Sequence, residues 1–399
     1  MVPNGWDVKP LADIAQVTSG GTPSRKKPEY WLNGTVPWIR TTEVQNCVLT
    51  PEDTQEYISE LGLKNSSAKI VPAGTVLLAM IGQGKTRGQV ALLKFEATTN
   101  QNCSAIIFKN DQEPTFHFNF LLSQYENIRA MSNSAGQSNL SGALVKAIRV
   151  PVPPLPEQKK IAQILSTWDK AITTTEQLLD NSQQQKKALM QQLLTGKRRL
   201  LDKNGDRFSR EWKWLKASEL FKTISKKNNL DSEELLSVTQ DQGVLPRSIL
   251  ERRVVMPDGS TKGYKLVVPG NFIISLRSFQ GGLEYSKYRG LVSPAYTVLE
   301  PIKPIDDQFY KHYYKSYEFI GHLAVAVIGI RDGKQISYAD FSFLKLPYPD
   351  IEEQKQIASV LSTAEHEINV LRQKVESLKQ EKKALMQQLL TGKSRVKIN

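Results

Sequence analysis

The sequence predicts an α+β protein with two mixed α/β domains, separated by an antiparallel two-helix coiled coil and related by a pseudo-two-fold internal repeat. The twelve residues Lys186–Lys197 recur unchanged at Lys382–Lys393, an offset of 196 positions. Glu157-Gln158-Lys159 recurs as Glu353-Gln354-Lys355 at the same offset. Apolar residues before both repeats follow a heptad spacing. A repeat this long indicates two equivalent halves, each with a globular part followed by one long helix.

Each repeated segment is predicted to form one helix that packs in coiled-coil fashion. Its apolar positions alternate steps of four and three residues over more than four heptads. The predicted seam residues are Ile161, Leu165, Trp168, Ile172, Leu179, Leu189 and Leu193 in the first helix, and Ile357, Leu361, Ile368, Leu371, Val375, Leu378, Leu385 and Leu389 in the second. Lys186 and Lys382 interrupt the seam at equivalent places. They either fix the register or extend their stems along a fraying helix end.

The helices set the predicted domain boundaries. We expect a first domain at residues 1–153, a first spacer helix at 154–197, a second domain at 198–349 and a second spacer helix at 350–396. Prolines precede both helices, and Gly196 and Gly392 stand where helix C-termini are expected. A helix from Ile161 to Leu193 is about 50 Å long, whereas the second domain should have a radius of gyration of about 15 Å. Because the ends of a domain usually lie close together, an antiparallel helix pair is favoured.

Short strands are predicted at matching places in the two globular parts. Residues 69–78 parallel residues 265–274, and residues 148–151 parallel residues 344–347. Both are β-branched runs bounded by proline or glycine, which is typical of strands. The intervening segments diverge and are rich in Pro, Gly and Asn. We therefore expect two related scaffolds that carry different loops.

The composition favours a polyanionic partner. The formal net charge is +13 and the pI is near 9.4, as in many nucleic-acid-binding proteins. Cys47 and Cys103 are the only cysteines, so no disulfide framework is indicated. The sequence shows neither a signal-peptide pattern nor an apolar run of membrane-spanning length. A soluble, cytoplasmic protein is expected.

One glycine-rich segment resembles a nucleotide-binding loop. Residues 79–86, ending in Gly84-Lys85-Thr86, fit a permissive Walker A pattern with alanine in place of the first glycine. Such a loop must run from a strand into a helix. Residues 87–93 instead favour a turn into another strand, so DNA phosphate is a better ligand for this loop than a nucleotide.

Other catalytic patterns are not found. The four histidines are His117, His312, His322 and His366, and their positions lack metal-ligand spacing. The sequence also lacks a dinucleotide-binding fingerprint and a methyltransferase-like tetrad. We therefore predict a chain without catalytic residues and without a bound metal ion.

The candidate DNA contacts are loops that mix basic and amide or hydroxyl side chains. Lys and Arg suit phosphates, while Arg, Asn, Gln, Ser and Thr suit base edges. The first-half candidates are Ser24, Arg25, Lys26, Lys27, Arg40, Thr41, Lys85, Thr86, Arg87, Gln137 and Asn139. The second-half candidates are Arg277, Ser278, Gln280, Lys287, Arg289, Lys334 and Gln335. Trp31 and Trp38 flank the first set, where core positions are favoured over stacking platforms.

These features together resemble the specificity subunit of a type I restriction-modification enzyme over nearly the whole chain. The motifs that carry the resemblance include residues 18–24 (Thr-Ser-Gly-Gly-Thr-Pro-Ser), 36–41, 100–103 (Asn-Gln-Asn-Cys) and 136–141. Residues 292–296 and the two Glu-Gln-x-x-Ile-Ala helix openings add to it. The order of variable domain, repeated helix, variable domain and repeated helix is the most specific signal.

The resemblance implies a target-recognition role for each domain. Each would bind one half of a bipartite site on double-stranded DNA, while the helices space the half-sites and bind two methyltransferase (modification) subunits. Restriction/translocase subunits would then join the complex. S-adenosylmethionine, ATP and Mg²⁺ would be held by those partners, with no cofactor on this chain.

Two other functions stay open at this point. One is a coiled-coil adaptor without sequence-specific DNA binding, in which the basic charge is incidental. The other is an NTP-binding enzyme that uses Lys85. Binding of DNA without sequence preference would favour the adaptor, and nucleotide binding by the isolated chain would favour the enzyme.

Overall fold

The computed structural model divides into two compact units, each built from two parts of the long helices and one globular part. Unit 1 comprises Met1–Thr175 and Lys374–Asn399, and unit 2 comprises Glu176–Gln373. The structure describes residues 2–82, 84–134, 139–227, 233–240, 242–250, 261–276, 278–326 and 336–398. In this division each long helix contributes one part to each unit. The predicted boundaries kept each helix whole and stay a prediction.

The first half of the chain contains ten strands and six α-helices among its described residues. The strands are β1 (Asp7–Pro10), β2 (Ala15–Ser19), β3 (Val36–Ile39), β4 (Cys47–Leu49), β5 (Glu56–Ile58), β6 (Val76–Ala79), β7 (Val90–Leu93), β8 (Thr98–Thr99), β9 (Cys103–Phe108) and β10 (Arg149–Val152). The helices are α1 (Leu11–Ile14), α2 (Glu60–Lys64), α3 (Pro114–Ser123), α4 (Tyr125–Ser134), α5 (Gly142–Ala147) and α6 (Leu155–Leu193). Short 3-10 helices lie at Pro28–Tyr30 and Pro51–Asp53.

The second half repeats this plan with different lengths, again with ten strands and six α-helices described. The strands are β11 (Lys213–Lys216), β12 (Phe221–Ile224), β13 (Leu236–Thr239), β14 (Gly243–Pro246), β15 (Lys265–Val267), β16 (Phe272–Ile274), β17 (Glu284–Tyr285), β18 (Gly290–Val292), β19 (Thr297–Pro301) and β20 (Lys345–Tyr348). The helices are α7 (Ala217–Leu220), α8 (Ser278–Gly281), α9 (Asp307–Tyr313), α10 (Tyr317–Ala326), α11 (Tyr338–Ser342) and α12 (Ile351–Leu389). Two 3-10 helices lie at Arg247–Ile249 and Thr261–Gly263.

Unit 1 has two sheets and a strand pair. The larger sheet has the order β2-β9-β6-β7-β4, and the smaller has the order β5-β3-β8. Antiparallel β1 and β10 join the start and end of the globular part, with Val8 opposite Pro151. Strands β6 and β7 are buried throughout, because each is an uninterrupted apolar run with packing on both faces.

Unit 2 has a four-stranded sheet with the order β12-β19-β16-β17, and its first and last strands form an equivalent pair, β11 with β20. Its core is aromatic: Phe221 packs edge-on against Phe272 and Tyr310, with ring centroids 5.7 and 5.3 Å apart. Helices α9 and α10 cover this core. The mixed α and β architecture of both units confirms the predicted fold class.

Helices α6 and α12 contain 39 residues each, the same length and at the 196-residue offset. They end at Leu193 and Leu389, a few residues before the predicted ends. The chain leaves the helix there because Gly196 and Gly392 adopt positive φ values of 71° and 72°, a left-handed conformation that favours glycine. The predicted C-terminal stops therefore lie where the repeat placed them.

Within each unit the two helix segments run antiparallel. In unit 1, Lys382 of α12 pairs with Asp169 of α6. In unit 2, Lys186 Nζ lies 3.4 Å from Glu365 Oε1. Asp169 and Glu365 are themselves related by the 196-residue offset, so one interhelical ion pair is repeated in both units. All the predicted seam residues are buried or half-buried.

A buried carboxylate in each unit binds one tryptophan and one arginine from other parts of the chain. In unit 1, Glu157 at the start of α6 accepts hydrogen bonds from Trp6 Nε1 at 3.0 Å and from Arg395 Nε and Nη2 at 2.6 and 2.7 Å. The carboxylate is fully buried. This contact explains why the segment after α12 belongs to unit 1.

The same arrangement recurs in unit 2. Glu353 accepts hydrogen bonds from Trp212 Nε1 at 2.9 Å and from Arg199 Nε and Nη2 at 2.5 and 2.7 Å. The neighbouring glutamines also repeat: Gln158 Oε1 accepts from Glu113 N, and Gln354 Oε1 accepts from Asp306 N, both at 2.9 Å. The Glu-Gln helix opening is thus a structural motif that fastens each helix to its globular part.

His117 makes unit 1 sensitive to acid. The side chain is fully buried, stacks on Phe108 and contacts Gln112, and burial lowers its pKa to about 3. The unfolded chain takes up this proton near pH 6.5. Stability is therefore intact above that pH and falls as the pH drops toward 3, by about 1.4 kcal/mol per pH unit.

We expect protonation of His117 in the unfolded chain to lower the free energy of unfolding of unit 1 by about 2 kcal/mol between pH 7.5 and pH 5. Urea unfolding at both pH values measures the loss. The comparison variant is His117→Tyr. Tyrosine is chosen because Tyr310 holds the equivalent position in the second half: His117 and Tyr310 each lie four residues after the N-cap of their helix, α3 and α9. The variant should lose about 2 kcal/mol less on acidification. If the free energy of unfolding has the same pH dependence in the wild type and in His117→Tyr, His117 is not the group responsible for the loss.

Candidate nucleic-acid interface

Four predicted loops of unit 1 meet at one turn, residues 100–102 between β8 and β9. Gly21 N donates to Thr99 O at 2.8 Å, and Asn100 N donates to Ile39 O at 3.0 Å. These bonds join the starts of the loops at residues 21–27 and 40–46 to the start of the turn.

The other two loops meet at Met80, the residue that follows β6. Met80 N donates to Asn102 O at 2.9 Å, and Leu140 N donates to Met80 O at 2.9 Å. Residues 80–88 thus begin beside the turn at Met80, and residues 139–140 are linked to the turn through Met80. We call the turn and its four neighbouring loops the unit 1 loop cluster (residues 21–27, 40–46, 80–88, 100–102 and 139–140, except residue 83).

The glycines of residues 18–24 are required by close packing. A Cβ atom at Gly20 would lie 1.9 Å from Thr99 O, and one at Gly21 would lie 2.1 Å from Ser67 Oγ. Trp38 is buried and its Nε1 donates to Gly21 O at 2.9 Å. These contacts hold the start of the loop at residues 21–27 against the sheet, while residues 24–27 are exposed.

Two arginines of the cluster are engaged by carboxylates. Arg25 lies 3.5 Å above the Trp31 ring and pairs with Glu56 at 2.6 Å, yet half of its side chain is exposed. Arg40 binds Glu56 at 2.6 Å and Glu43 at 2.8 Å, and the hydrogen bond that it donates to Glu43 raises the pKa of Arg40. The exposed lysines are therefore better placed than these arginines for phosphate contacts.

The structure separates the predicted contact residues by exposure. The exposed ones are Ser24, Arg25, Lys26, Lys27, Lys85, Asn139, Gln280, Lys287 and Arg289; Arg40, Thr41 and Thr86 are half-buried; Arg87 and Ser278 are buried. Gln137, Arg277, Lys334 and Gln335 lie outside the described residues. Arg87, at 8% exposure, does not share the surface of Lys85, because the chain turns inward toward β7.

The segment that resembles a Walker loop connects two strands. β6 pairs antiparallel with β7, with Val76 opposite Leu92. Since no helix follows Thr86, the backbone N–H groups of a helix N-terminus are not available to a nucleotide phosphate there. This geometry disfavours the NTP-binding alternative.

The described loops of unit 2 form a partial counterpart. Gln280 and Lys287 are exposed, and Arg289 binds Glu233 through Nε and Nη2 at 2.9 and 2.7 Å. Ser278 is used internally, since its Oγ accepts from Ser275 N at 2.8 Å. Gln280, Lys287 and Arg289 are thus the predicted contacts that this unit exposes among its described residues.

Sequence reasoning missed a basic groove in unit 2. A cavity of about 950 Å³ lies between helix residues of α6 and α12 and the α9–α10 segment. Its cations are Lys186, Lys187, Lys197, Lys311, Lys315 and Arg372. Lys311 and Lys315 are four residues apart around the end of α9, a spacing that signals one basic helix face.

One carboxylate organises the floor of this groove. Glu365 binds Lys311 at 2.5 Å and Lys186 at 3.4 Å. Burial would raise the pKa of Glu365, but the hydrogen bond from Lys311 and the charge of Lys186 outweigh it and lower the pKa to about 2. Burial, with the charge of Lys311, lowers the pKa of His312 to about 4. Glu365 is therefore ionised at neutral pH, while His312 is neutral.

Sequence reasoning also did not select Gln101 as a contact. It is the exposed member of the Asn-Gln-Asn-Cys motif, and the Thr22 hydroxyl donates to its Oε1. The motif was visible, but its position at the centre of the loop cluster depends on long-range strand pairing.

The described side chains include no group of three or more His, Cys, Asp or Glu residues placed to hold a metal ion. Within the described part of the chain, no helix combines the length and the hydropathy needed to cross a membrane.

A family model described as "Type I restriction modification DNA specificity domain" matches residues 3–181 and 209–380. The MjaIX specificity subunit of a type I restriction enzyme from Methanocaldococcus jannaschii is 34% identical over 174 residues, which covers 43% of this chain and 39% of that relative. The putative MjaX specificity subunit from the same organism is 24% identical over 424 residues, covering 99% of this chain and 95% of the relative.

Two solved structures share the fold over nearly the full length. The S subunit of a type I restriction-modification system from M. genitalium has a TM-score of 0.60 at 13% identity, covering 98% of both chains. A chain from a study of complex assembly and conformational transition in the type I R-M system has a TM-score of 0.58 at 18% identity. That match covers 99% of this chain and 100% of the other.

Proposed function

Because the chain belongs to the family of type I restriction-modification DNA specificity domains, we propose that each of its units binds one half of a bipartite site on double-stranded DNA. The chain is a specificity subunit and has no catalytic role of its own. The observation that carries the proposal is the unit 1 loop cluster, where four loops with mixed basic, amide and hydroxyl side chains converge on one turn. Such a surface combines the groups that bind phosphates with those that bind base edges.

Charge supports DNA as the ligand. The net charge of +13 attracts a polyanion, and Lys26, Lys27 and Lys85 are exposed in the loop cluster. Arg25 and Arg40 pair with glutamates of the same loops or neighbouring strands, and these ion pairs hold the loops in place. The adaptor alternative gives no reason for this convergence of loops.

We propose that the helices serve two purposes. Their buried and half-buried seam residues form an antiparallel coiled coil that fixes the distance between the DNA half-sites. Their outer faces dock two methyltransferase subunits, and the basic groove of unit 2 is suited to an acidic segment of one of them. Restriction subunits complete the assembly. In this proposal S-adenosylmethionine, ATP and Mg²⁺ belong to those partner subunits, and the complex acts on DNA in the cytoplasm.

The lysines of the loop cluster provide the test. Lys26→Ala combined with Lys85→Ala should weaken binding to all duplexes alike and reduce the slope of log Kobs against log salt concentration by about 0.9 per lost contact. Equilibrium binding of the complex with its methyltransferase subunits, measured at several salt concentrations, gives both quantities.

A matched control removes two lysines from the opposite end of the same sheet. Lys94 follows β7 and Lys109 follows β9, whereas the loop cluster lies at the other end of both strands. Lys94→Ala with Lys109→Ala changes the net charge equally and should preserve the salt slope. Equal effects of the two double variants would refute a local DNA interface, and wild-type binding without sequence preference would support the adaptor.

A further inference from the structure

We infer that Gln101 is a specificity-determining residue that reads an adenine in the first half-site, with Thr22 as its positioning residue. The inference rests on the proposed function and names the side chain through which unit 1 discriminates sequence. Gln101 is exposed at the tip of the turn at residues 100–102, while Asn100 before it is buried and Asn102 after it is half-buried.

The backbone under Gln101 is fixed from several directions. Asn102 N donates to Asn100 Oδ1 at 3.1 Å, and Cys103 N donates to Asn100 O at 3.2 Å. Hydrogen bonds to the neighbouring segments add the contacts Asn100 N to Ile39 O and Met80 N to Asn102 O. A turn with this many internal bonds presents its exposed side chain in one direction, as a discriminating contact requires.

Thr22 fixes the carboxamide itself. Its hydroxyl donates to Gln101 Oε1, which occupies one of the two lone pairs of that oxygen. The other lone pair and both Nε2 hydrogens stay available, so the carboxamide retains one acceptor and two donors for a base edge. Thr22 is held in turn, because the adjacent Gly21 packs against Ser67 and donates to Thr99 O.

This pair of groups matches adenine. A glutamine amide accepts from the adenine 6-amino group and donates to N7 in the major groove, and no other base presents that donor and acceptor pair there. The exposed Lys26 and Lys27 lie four and five residues beyond Thr22, where they suit the flanking phosphates. Aromatic or basic neighbours alone would bind DNA without this discrimination.

The test is a binding cycle on the assembled complex with its methyltransferase subunits. Each A·T pair of the first half-site, identified from the methylated sequence in a host, is replaced in turn. At one of these pairs, the replacement should weaken DNA binding by the wild-type protein about 10- to 100-fold. The same replacement should weaken DNA binding by Gln101→Ala very little, because that variant has already lost the contact. Thr22→Val should reduce the discrimination at that same pair by a smaller factor.

The controls separate this inference from the proposed function. Gln16 is another exposed glutamine of unit 1, on β2, and Gln16→Ala should keep full discrimination. Discrimination in the second half-site should be unchanged in every variant, which also reports that the complex is intact. If Gln101→Ala discriminates every A·T pair as wild type does, or if only a G·C pair is affected, the inference is overturned. If wild type shows no sequence preference at all, the proposed function fails instead.

Discussion

Replacement of Glu157 or Glu353 by alanine is expected to lower the free energy of unfolding of its own unit by about 1–3 kcal/mol. Each carboxylate is almost completely buried and binds one tryptophan N–H and one arginine. Removal of the carboxylate leaves the tryptophan N–H without its acceptor at a buried (Trp6) or half-buried (Trp212) position, which costs more than the loss of an exposed ion pair. The arginine loses its charge partner but keeps contact with solvent, since its side chain is 44% exposed in unit 1 and 18% exposed in unit 2. The effect should be large at both sites because the geometry is repeated.

Calorimetry tests this prediction if the unfolding transitions of the two units are followed separately. Glu157→Ala should lower the unit 1 transition, and Glu353→Ala should lower that of unit 2. The control is Glu352→Ala, which removes an exposed partner of Lys355 one residue from Glu353 and should cost less than about 1 kcal/mol. Equal losses for Glu352→Ala and Glu353→Ala would show that the buried network does not hold the unit together.

A heptad inserted into both helices is expected to lengthen the DNA site without changing its two half-sequences. The repeated ion pairs of Lys382 with Asp169 and Lys186 with Glu365 share one register, which places Thr175 opposite Glu376. Insertion of seven residues after Thr175 and after Val375 therefore keeps the seam in phase. It adds about 10 Å of helix, the length of about three base pairs of B-DNA.

Methylome sequencing of a host that carries the lengthened chain measures the gap between the half-sites. The gap should grow by about three base pairs. Insertion into α6 alone is the control, since it mismatches the seam and should impair assembly with the methyltransferase subunits. Methylation that keeps its original spacing in the double-insertion protein would exclude the helices as the determinant of spacing.

The repeat made the helices and the mixed α and β units predictable. Identical segments must take the same structure where their surroundings are equivalent, and the heptad pattern specifies a helix over its whole length. The strands at residues 148–151 and 344–347 were predictable for the same reason, and both are present. The four loops of unit 1 were recognised singly, but their common location depends on strand pairings between residues far apart in sequence.

Other features required three-dimensional information. The burial of Arg87 follows from the tight turn into β7, which the basic composition of its loop does not indicate. The hydrogen bonds of Trp6 and Arg395 to Glu157 join residues 151 and 238 positions apart, so no local pattern reveals them. The groove beside α9 depends on Lys311 and Lys315. When α9 and α3 are aligned at their N-caps, these lysines take the places of the apolar Phe118 and Leu122 of the first half.

The position of Arg395 also imposes an order on biosynthesis. Unit 2 is continuous in sequence, whereas unit 1 is completed only by residues 374–399. A ribosome that adds about 5–20 residues per second needs about 10–40 seconds to proceed from the end of α6 to Arg395. During that interval Glu157 has no guanidinium to neutralise it, while Arg199 precedes Glu353 and is already present. We therefore expect the second unit to mature first on the ribosome, and the nascent first unit to be the substrate that chaperones protect.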